Sequence, residues 1–341
     1  MKTAVVILNW NTREYLERWL PALLSSCKGN DAQVIVADSA SSDGSLEMMS
    51  TRFPDVRTIP LDSNYGFTGG YNRALEQVNA EYFVLMNSDI RVEPGWLEPL
   101  VDWMDSHPGC GVCGPKLHRM DSDEFEYAGA AGGYIDRFGY PYCRGRVLKR
   151  TESDCGQYNN PHNVLWISGA CLMTRSSLWK SLGGLDDRFF AHMEEIDYCW
   201  RAQLDGWKVT VVPDSCVSHL GGGTLPQESP LKLKLNYRNN LLMLQNNLAA
   251  TIGYRKASVR IFTRKLLDGC SAVVYLLQGR KACFKAVLDA HREASALRQR
   301  KAQRHSGNAA IDGYSEICII LQSLLRGKAV FTYLRKYEDN H

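Results

Sequence analysis

Short apolar runs that each stop at a small polar residue constrain this chain more than any other feature. Val5-Val6-Ile7-Leu8 ends in Asn9-Trp10-Asn11, and Val34-Ile35-Val36-Ala37 ends in Asp38-Ser39. Tyr82-Phe83-Val84-Leu85-Met86 ends in Asn87-Ser88-Asp89. Runs of this length, bounded by turn residues, predict buried strands of an open α/β sheet. Between the first two, Tyr15, Leu16, Trp19, Leu20, Leu23 and Leu24 recur at helical spacing behind an Asn11 or Thr12 cap. Strand and helix in alternation predict a mainly parallel sheet covered on both faces, with its polar strand ends along one edge. Ligands of such sheets gather at that edge. No G-x-G-x-x-G follows the first strand, so a dinucleotide fold is not supported.

The pattern continues with a helix from Leu46 towards Phe53 and a weak strand at Val56–Ile59. The glycine-rich turn Asn64–Asn72 then leads into a helix through Val78. From Cys110 to about Trp166 the pattern loosens, punctuated by Tyr127, Tyr134, Phe138, Tyr140 and Tyr142. Such a segment is either a binding loop or a solvated insertion. Val164–Met173 reads as a buried strand with Gly169 inside it, where a ligand or another backbone can approach closely. Phe189–Leu204 reads as a helix with Glu194, Glu195 and Asp197 near its start, and Lys208–Val212 as a last strand leading to His219. Beyond Pro230 the periodicity predicts helices at Tyr237–Leu248, Arg255–Leu277, Lys281–Arg304 and Ile317–Leu325. We therefore expect an α/β region at 1–226 and a basic α-helical region at 227–341.

Charge separates those regions. Leu231–His341 holds 20 Lys and Arg against 7 Asp and Glu, although the whole chain carries only +3. Basic amphipathic helices suit an anionic membrane surface, or they pack on the first region. The 11 cysteines are scattered, and Cys110-Gly-Val-Cys113 lacks the second pair that a zinc site needs. No cleavable signal opens the chain, and no run approaches the roughly 20 apolar residues of a membrane span. The expectation is a cytoplasmic protein with free thiols, at the inner face of the membrane, with no nucleic-acid partner.

Several motifs carry chemistry. Ile7–Asn11, Val36–Ser39 with Ser42–Ser45, Asn64–Phe67 with Gly70 and Asn72, and Asn87–Asp89 come first in order. Ser168–Cys171, Phe189-Phe190 with Glu194–Asp197, and His219–Gly222 follow. From Met1 to about Thr224 this series resembles inverting family 2 glycosyltransferases, most closely the bacterial rhamnosyltransferase-like members that build cell-surface polysaccharides. The resemblance implies a GT-A fold, a nucleotide-sugar donor such as dTDP-rhamnose or a UDP- or dTDP-hexose, and a divalent cation, Mn²⁺ or Mg²⁺. It implies a glycan or lipid-linked glycan as acceptor.

On that resemblance Asp89 and His219 hold the cation and Glu195 is the base, with Glu194 in reserve. Asn87 stands where the family's Asp-x-Asp pattern has its first acid. Asp38 is expected to accept from the N3–H of the base and Trp10 to stack on it. Asn9, Ser39, Asn64, Gly66, Phe67, Asn72, Asn87 and Ser88 complete the expected donor pocket, and Trp166 and Gly169 line the acceptor side. Each residue has a plainer reading: Asp38 and Asn87–Asp89 as turn or cap residues, Trp10 as packing, His219 as structural, and the paired acids as a favourable helix start. Asp197 and Arg201, four apart, read as a structural ion pair. A sugar nucleotidyltransferase would need a basic glycine-rich loop after the first strand, which Asn9-Trp10-Asn11 does not supply. A glycan-binding module would need neither the metal carboxylate nor the acid pair.

Overall fold

A computed structural model describes residues 1–221, 229–299 and 310–338. The first half runs β1 (Thr3–Asn9), α1 (Arg13–Ser26), β2 (Ala32–Asp38), α2 (Ser45–Arg52), β3 (Arg57–Pro60), α3 (Gly66–Leu75), β4 (Tyr82–Asn87), β5 (Ile90–Val92) and α4 (Glu98–Ser106). Then come β6 (Cys110–Arg119) and five short strands, β7 (Gly133–Ile135), β8 (Pro141–Cys143), β9 (Arg146–Val147), β10 (Arg150–Thr151) and β11 (His162–Asn163). β12 (Cys171–Arg175), α5 (Ser176–Leu182), α6 (Glu194–Leu204) and β13 (Lys208–His219) complete the sheet region. Five helices follow: α7 (Pro230–Ile252), α8 (Tyr254–Leu277), α9 (Lys281–Ala296), α10 (Ile319–Arg326) and α11 (Val330–Glu338).

The main sheet has the order β3-β2-β1-β4-β12-β6-β13-β11, with β5 also paired to β13. β3, β2, β1 and β4 are parallel neighbours, and β12 runs antiparallel between β4 and β6. Register places Asn9 beside Asp38 and Leu8 beside Asn87, so the first polar strand ends meet at one edge. Side chains alternate across the sheet. Val5, Ile7, Val84 and Met86 face α1 and α4, and Ala4, Val6, Phe83 and Leu85 face the opposite core with α3, α6 and α7. The four short strands β7 to β10 form a second, antiparallel sheet.

The loosened segment opens with a central strand that its composition conceals. Glycine and proline argue against a strand interior, yet β6 needs both glycines. A Cβ at Gly111 would lie 2.5 Å from the Leu178 side chain, and one at Gly114 2.2 Å from Ile167. Pro115 falls in the register shift where Gly114 pairs with Val211 and Lys116 with Cys216. Val164–Ala170 lies outside any strand, and the strand there starts only at Cys171. The 66–72 turn is itself the start of α3, because the Asn64 side chain accepts from the Gly66 N–H at 2.9 Å. The expected helix over 189–204 begins only at Glu194, and that over 281–304 is seen to Ala296. All 11 cysteines are free thiols.

The helices after Pro230 share the core of the main sheet. Leu241, Leu242, Leu244, Leu248, Ile319 and Val330 belong to the cluster that contains Val6 and Phe83. The boundary expected at 226 lies outside the described residues. Just beyond it, α7 grips the chain that precedes α6. Asn239 Nδ2 donates to the carbonyls of Phe189, Ala191 and His192 at 2.9, 2.7 and 2.7 Å, and Arg238 to those of Arg188 and Phe189 at 3.1 and 2.8 Å. Asn239→Ala strands buried carbonyls, and a buried acceptor without its donor costs about 1–3 kcal/mol. Urea unfolding should register that loss, together with a fall in turnover.

Candidate active site

At the first strand ends, Asn9 Nδ2 donates to Asp38 Oδ2 at 2.6 Å, and the Ser41 N–H donates to Asp38 Oδ1 at 2.9 Å. The Thr12 hydroxyl, 2.5 Å from Asn9 Oδ1 and 2.7 Å from Ser88 Oγ, ties this pair to the end of β4. Asp38 is fully buried. Here its carboxylate ties the end of β1 to the turn at Ser41. Trp10 is 41% exposed and offers an open ring at the rim. Ser39 is buried with its hydroxyl unpartnered among the described residues.

The cation candidates lie further along that edge. His219, the last residue of β13, has Nε2 3.1 Å from Asp89 Oδ1 and Nδ1 3.4 Å from Glu126 Oε1. The second contact is out of line for a hydrogen bond. Burial opposes a charge on the imidazole, but Asp89 and Glu126 outweigh it and raise His219 to about 10. Among the described residues no three His, Cys, Asp or Glu side chains form a metal cluster. The donor set still fits a cation in one arrangement. An imidazole ligates through one nitrogen, so Nε2 and Asp89 would hold a divalent cation between them, with Glu126 facing Nδ1 on the other side of the ring. Glu126 lies in the loosened segment and carried no sequence signal.

The acids at the start of α6 follow a strained loop. Phe190, His192 and Met193 adopt φ of 64°, 72° and 71°, a region that costs non-glycine residues energy and clusters at functional sites. Glu194 is buried, Glu195 half-buried, and one oxygen of each is enclosed without a hydrogen-bond partner. Burial raises Glu195 to about 7, and burial with the neighbouring Glu195 charge raises Glu194 well above the carboxyl range. Burial depresses His192 to about 4, and its Nε2 is also unpartnered. Asp197 accepts from Arg201 at 2.7 Å and from Asn246 and Asn247, so the expected ion pair is present and anchors α6.

Gly66, Phe67 and Gly169 join the two halves. A Cβ at Gly66 would meet the Phe190 ring and carbonyl at 2.5 Å. One at Gly169 would lie 3.2 Å from the Phe67 ring and 3.6 Å from Glu195 Cβ. Two expected residues face elsewhere. Asn72 bonds Leu185 through both ends of its amide and also reaches Asp187, tying α3 to the loop after α5. Trp166 is 2% exposed, packs over Gly133 and donates to the Tyr134 carbonyl at 3.1 Å, so no face is free to stack on a sugar.

The largely parallel sheet, the carboxylate and imidazole that meet at its strand ends and the strained loop that carries the acids are the arrangement expected of a GT-A glycosyltransferase. The family model for "Glycosyl transferase family 2" matches residues 4–182, and the chain belongs to that family. It is 27% identical over 256 residues to N-acetylglucosaminyl-diphospho-decaprenol L-rhamnosyltransferase of Mycobacterium tuberculosis, covering 70% of this chain and 83% of that one. The fold matches S. aureus TarS 1–349 in complex with UDP-GlcNAc, with TM-score 0.57 and 15% identity, over 86% of this chain and 82% of that one. It also matches GalNAc-T7 with UDP, GalNAc and Mn²⁺, with TM-score 0.56 and 15% identity, over 72% of this chain and 48% of that longer one. The chain is thus a rhamnosyltransferase-like family 2 enzyme with a GT-A fold.

The raised Glu195 links stability to pH. Between about pH 4.5 and 7 the folded protein keeps a proton that the unfolded chain has released, so this group's contribution falls as pH rises through that window. Glu195→Gln should therefore be more stable than wild type at pH 8 and nearly equal to it at pH 4, as urea unfolding at both values would show.

Proposed function

We propose that this glycosyltransferase works by inversion, moving rhamnose or a related hexose from a UDP- or dTDP-linked donor to a hydroxyl of a lipid-linked or growing glycan. One observation carries the reading. Glu194 Oε2, Glu195 Oε2, His192 Nε2 and His219 Nδ1 are buried without hydrogen-bond partners among the described residues, the last at the end of β13 and the other three in or just before the first turn of α6. Buried polar atoms are rarely left so, and functional sites are where they persist. The name of the mycobacterial relative, an N-acetylglucosaminyl-diphospho-decaprenol L-rhamnosyltransferase, supports both the rhamnosyl donor and a diphosphate-linked acceptor.

In this mechanism Trp10 stacks on the base, Asn9 and Asp38 fix the loop beneath it, and the 64–67 turn approaches the ribose and diphosphate through backbone. Asn87 and Ser88 border the sugar. Glu195, whose burial brings its pKa up to about 7, removes the acceptor proton as the hydroxyl attacks the anomeric carbon opposite the departing diphosphate. A base so placed contributes roughly 10²–10⁴-fold. Asp89 and His219 would hold the divalent cation, which when bound offsets charge on the leaving nucleoside diphosphate.

We also place membrane contact on α8. Val259, Phe262, Leu266, Val273 and Leu277 are exposed along it. Its one acid, Asp268, is buried against Arg264 and His291. Arg255 and Lys256 at one end suit anionic lipid and would repel a second copy. Among the described residues no helix is long and apolar enough to cross a membrane, so the contact would be peripheral.

Glu195→Gln should lower transfer of label from dTDP-rhamnose by about 10²–10⁴-fold with donor affinity unchanged; near-normal turnover moves the base to Glu194. Asp89→Ala should remove the Mn²⁺ dependence of donor binding, and equal affinity with and without Mn²⁺ in both proteins would sink the cation's role. Phe262→Glu with Leu266→Glu should release the protein from anionic vesicles in sedimentation without altering its melting curve.

A further inference from the structure

One face of the β6–β13 ladder carries a second cluster of titratable groups. Lys116 pairs with Cys216 and His118 with Ser218, so Lys116, His118 and Cys216 share that face. Cys216 Sγ lies 3.2 Å from His118 Nδ1, and His118 Nε2 lies 2.9 Å from Asp154 Oδ2. Asp154 arrives from the turn after β10 and is held from two sides. Lys116 Nζ donates to its Oδ2 at 2.6 Å, and the Gly156 N–H donates to its Oδ1 at 2.9 Å. Burial opposes a charge on Asp154, but Lys116, the Gly156 N–H and His118 outweigh it and hold the carboxyl below its ordinary range.

An ionised carboxylate only accepts, so Nε2 carries the ring proton and Nδ1 is left to accept from the thiol. A nucleophile within hydrogen-bond reach of a base, with the base oriented by a third group, is the arrangement that activates thiols and hydroxyls for attack. Burial raises the Cys216 thiol to about 11, with Lys116 opposing the shift and Asp154 and Glu93 adding to it. The resting group is therefore the thiol, and its proton has to leave as a bond forms. His118 is placed to take it. Among the described residues no other thiol is hydrogen-bonded to an imidazole, although Cys155 and Cys270 are more exposed than Cys216. Partial exposure at Cys216 selects a small partner, and a sulfur nucleophile selects an electrophilic sulfur.

We propose that Cys216, with His118 as its base and Asp154 positioning the ring, is a site of covalent modification by small disulfides. Cys216 Sγ attacks one sulfur of R–S–S–R, its proton passes to His118 Nδ1, and the S–S bond of the reagent breaks. The departing thiolate takes the proton and leaves as R–SH, with a mixed disulfide on Cys216. Cys216 and His219 stand three apart on β13, so their side chains leave on opposite faces and the adduct lies away from the Asp89–His219 pair. The site is thus independent of the transfer reaction.

The probe is dithiodipyridine, a neutral disulfide whose leaving group absorbs light, with peptide mass mapping of the full chain to locate the adduct. At neutral pH Cys216 should be labelled before the exposed Cys155 and Cys270. His118→Gln should slow Cys216 by about 10²-fold, the lower end of what a positioned base supplies, and Asp154→Asn should slow it by a smaller factor. Cys155 and Cys270 should keep their rates in both variants. Labelling of Cys216 after Cys155 in wild type would overturn the proposal. An equal Cys216 rate in His118→Gln would do the same and leave the 3.2 Å contact as packing. Should His118→Gln unfold, its buried Cys171 and Cys199 become labelled, and the wild-type order with Asp154→Asn then decides. Dithiothreitol should return the labelled protein to the free thiol; a label that resists it is no mixed disulfide and counts against the site.

Discussion

The hold of α7 on the chain before α6 is the interaction on which the site depends. Phe190, His192 and Met193 occupy left-handed backbone, and nothing in their own side chains favours it. Asn239 and Arg238 fix the conformation by taking the carbonyls of residues 188, 189, 191 and 192. The acids at the head of α6 are consequently presented from a loop that α7 braces through five hydrogen bonds. A helix that looks like an appendage in the sequence belongs to the catalytic body, because Leu241, Leu242 and Leu244 fill the same core as the sheet.

Much of the architecture was legible because burial on both faces writes parallel strands as unbroken apolar runs. β1, β2 and β4 announced themselves in this way, and their polar stops marked the ligand edge. β6 did not, since Gly111, Gly114 and Pro115 are there for close approach and for the break in its ladder with β13. Helical periodicity in 189–204 was read five residues too early, because apolar spacing carries no information about a backbone held by distant side chains. The Val164–Ala170 run is apolar because Trp166 packs into the core over Gly133, and burial alone does not make a strand.

The site divides in the same way. Asp89, His219 and the acid pair stand at ends of regular elements, where position along the chain fixes position in space. Glu126 comes from the irregular segment, held beside β6 by its N–H on the Leu117 carbonyl, so no spacing could place it. Asn72 shows the converse: it follows a glycine turn as a donor ligand would, yet its amide meets Leu185 through both ends. Asp38 was found in its expected place but enclosed, its oxygens taken by Asn9 and the Ser41 amide.

One seam has a further meaning. The Thr68 N–H donates to the Phe190 carbonyl at 3.2 Å, and Gly66 leaves no room between the glycine turn and that ring. Segments more than a hundred residues apart thus form a single hinge plate, with the nucleotide turn on one side and the acid loop on the other. A displacement at Gly66 cannot occur without moving Phe190. A change of backbone at either place is therefore felt at the other, and the acids at the head of α6 begin only four residues beyond Phe190.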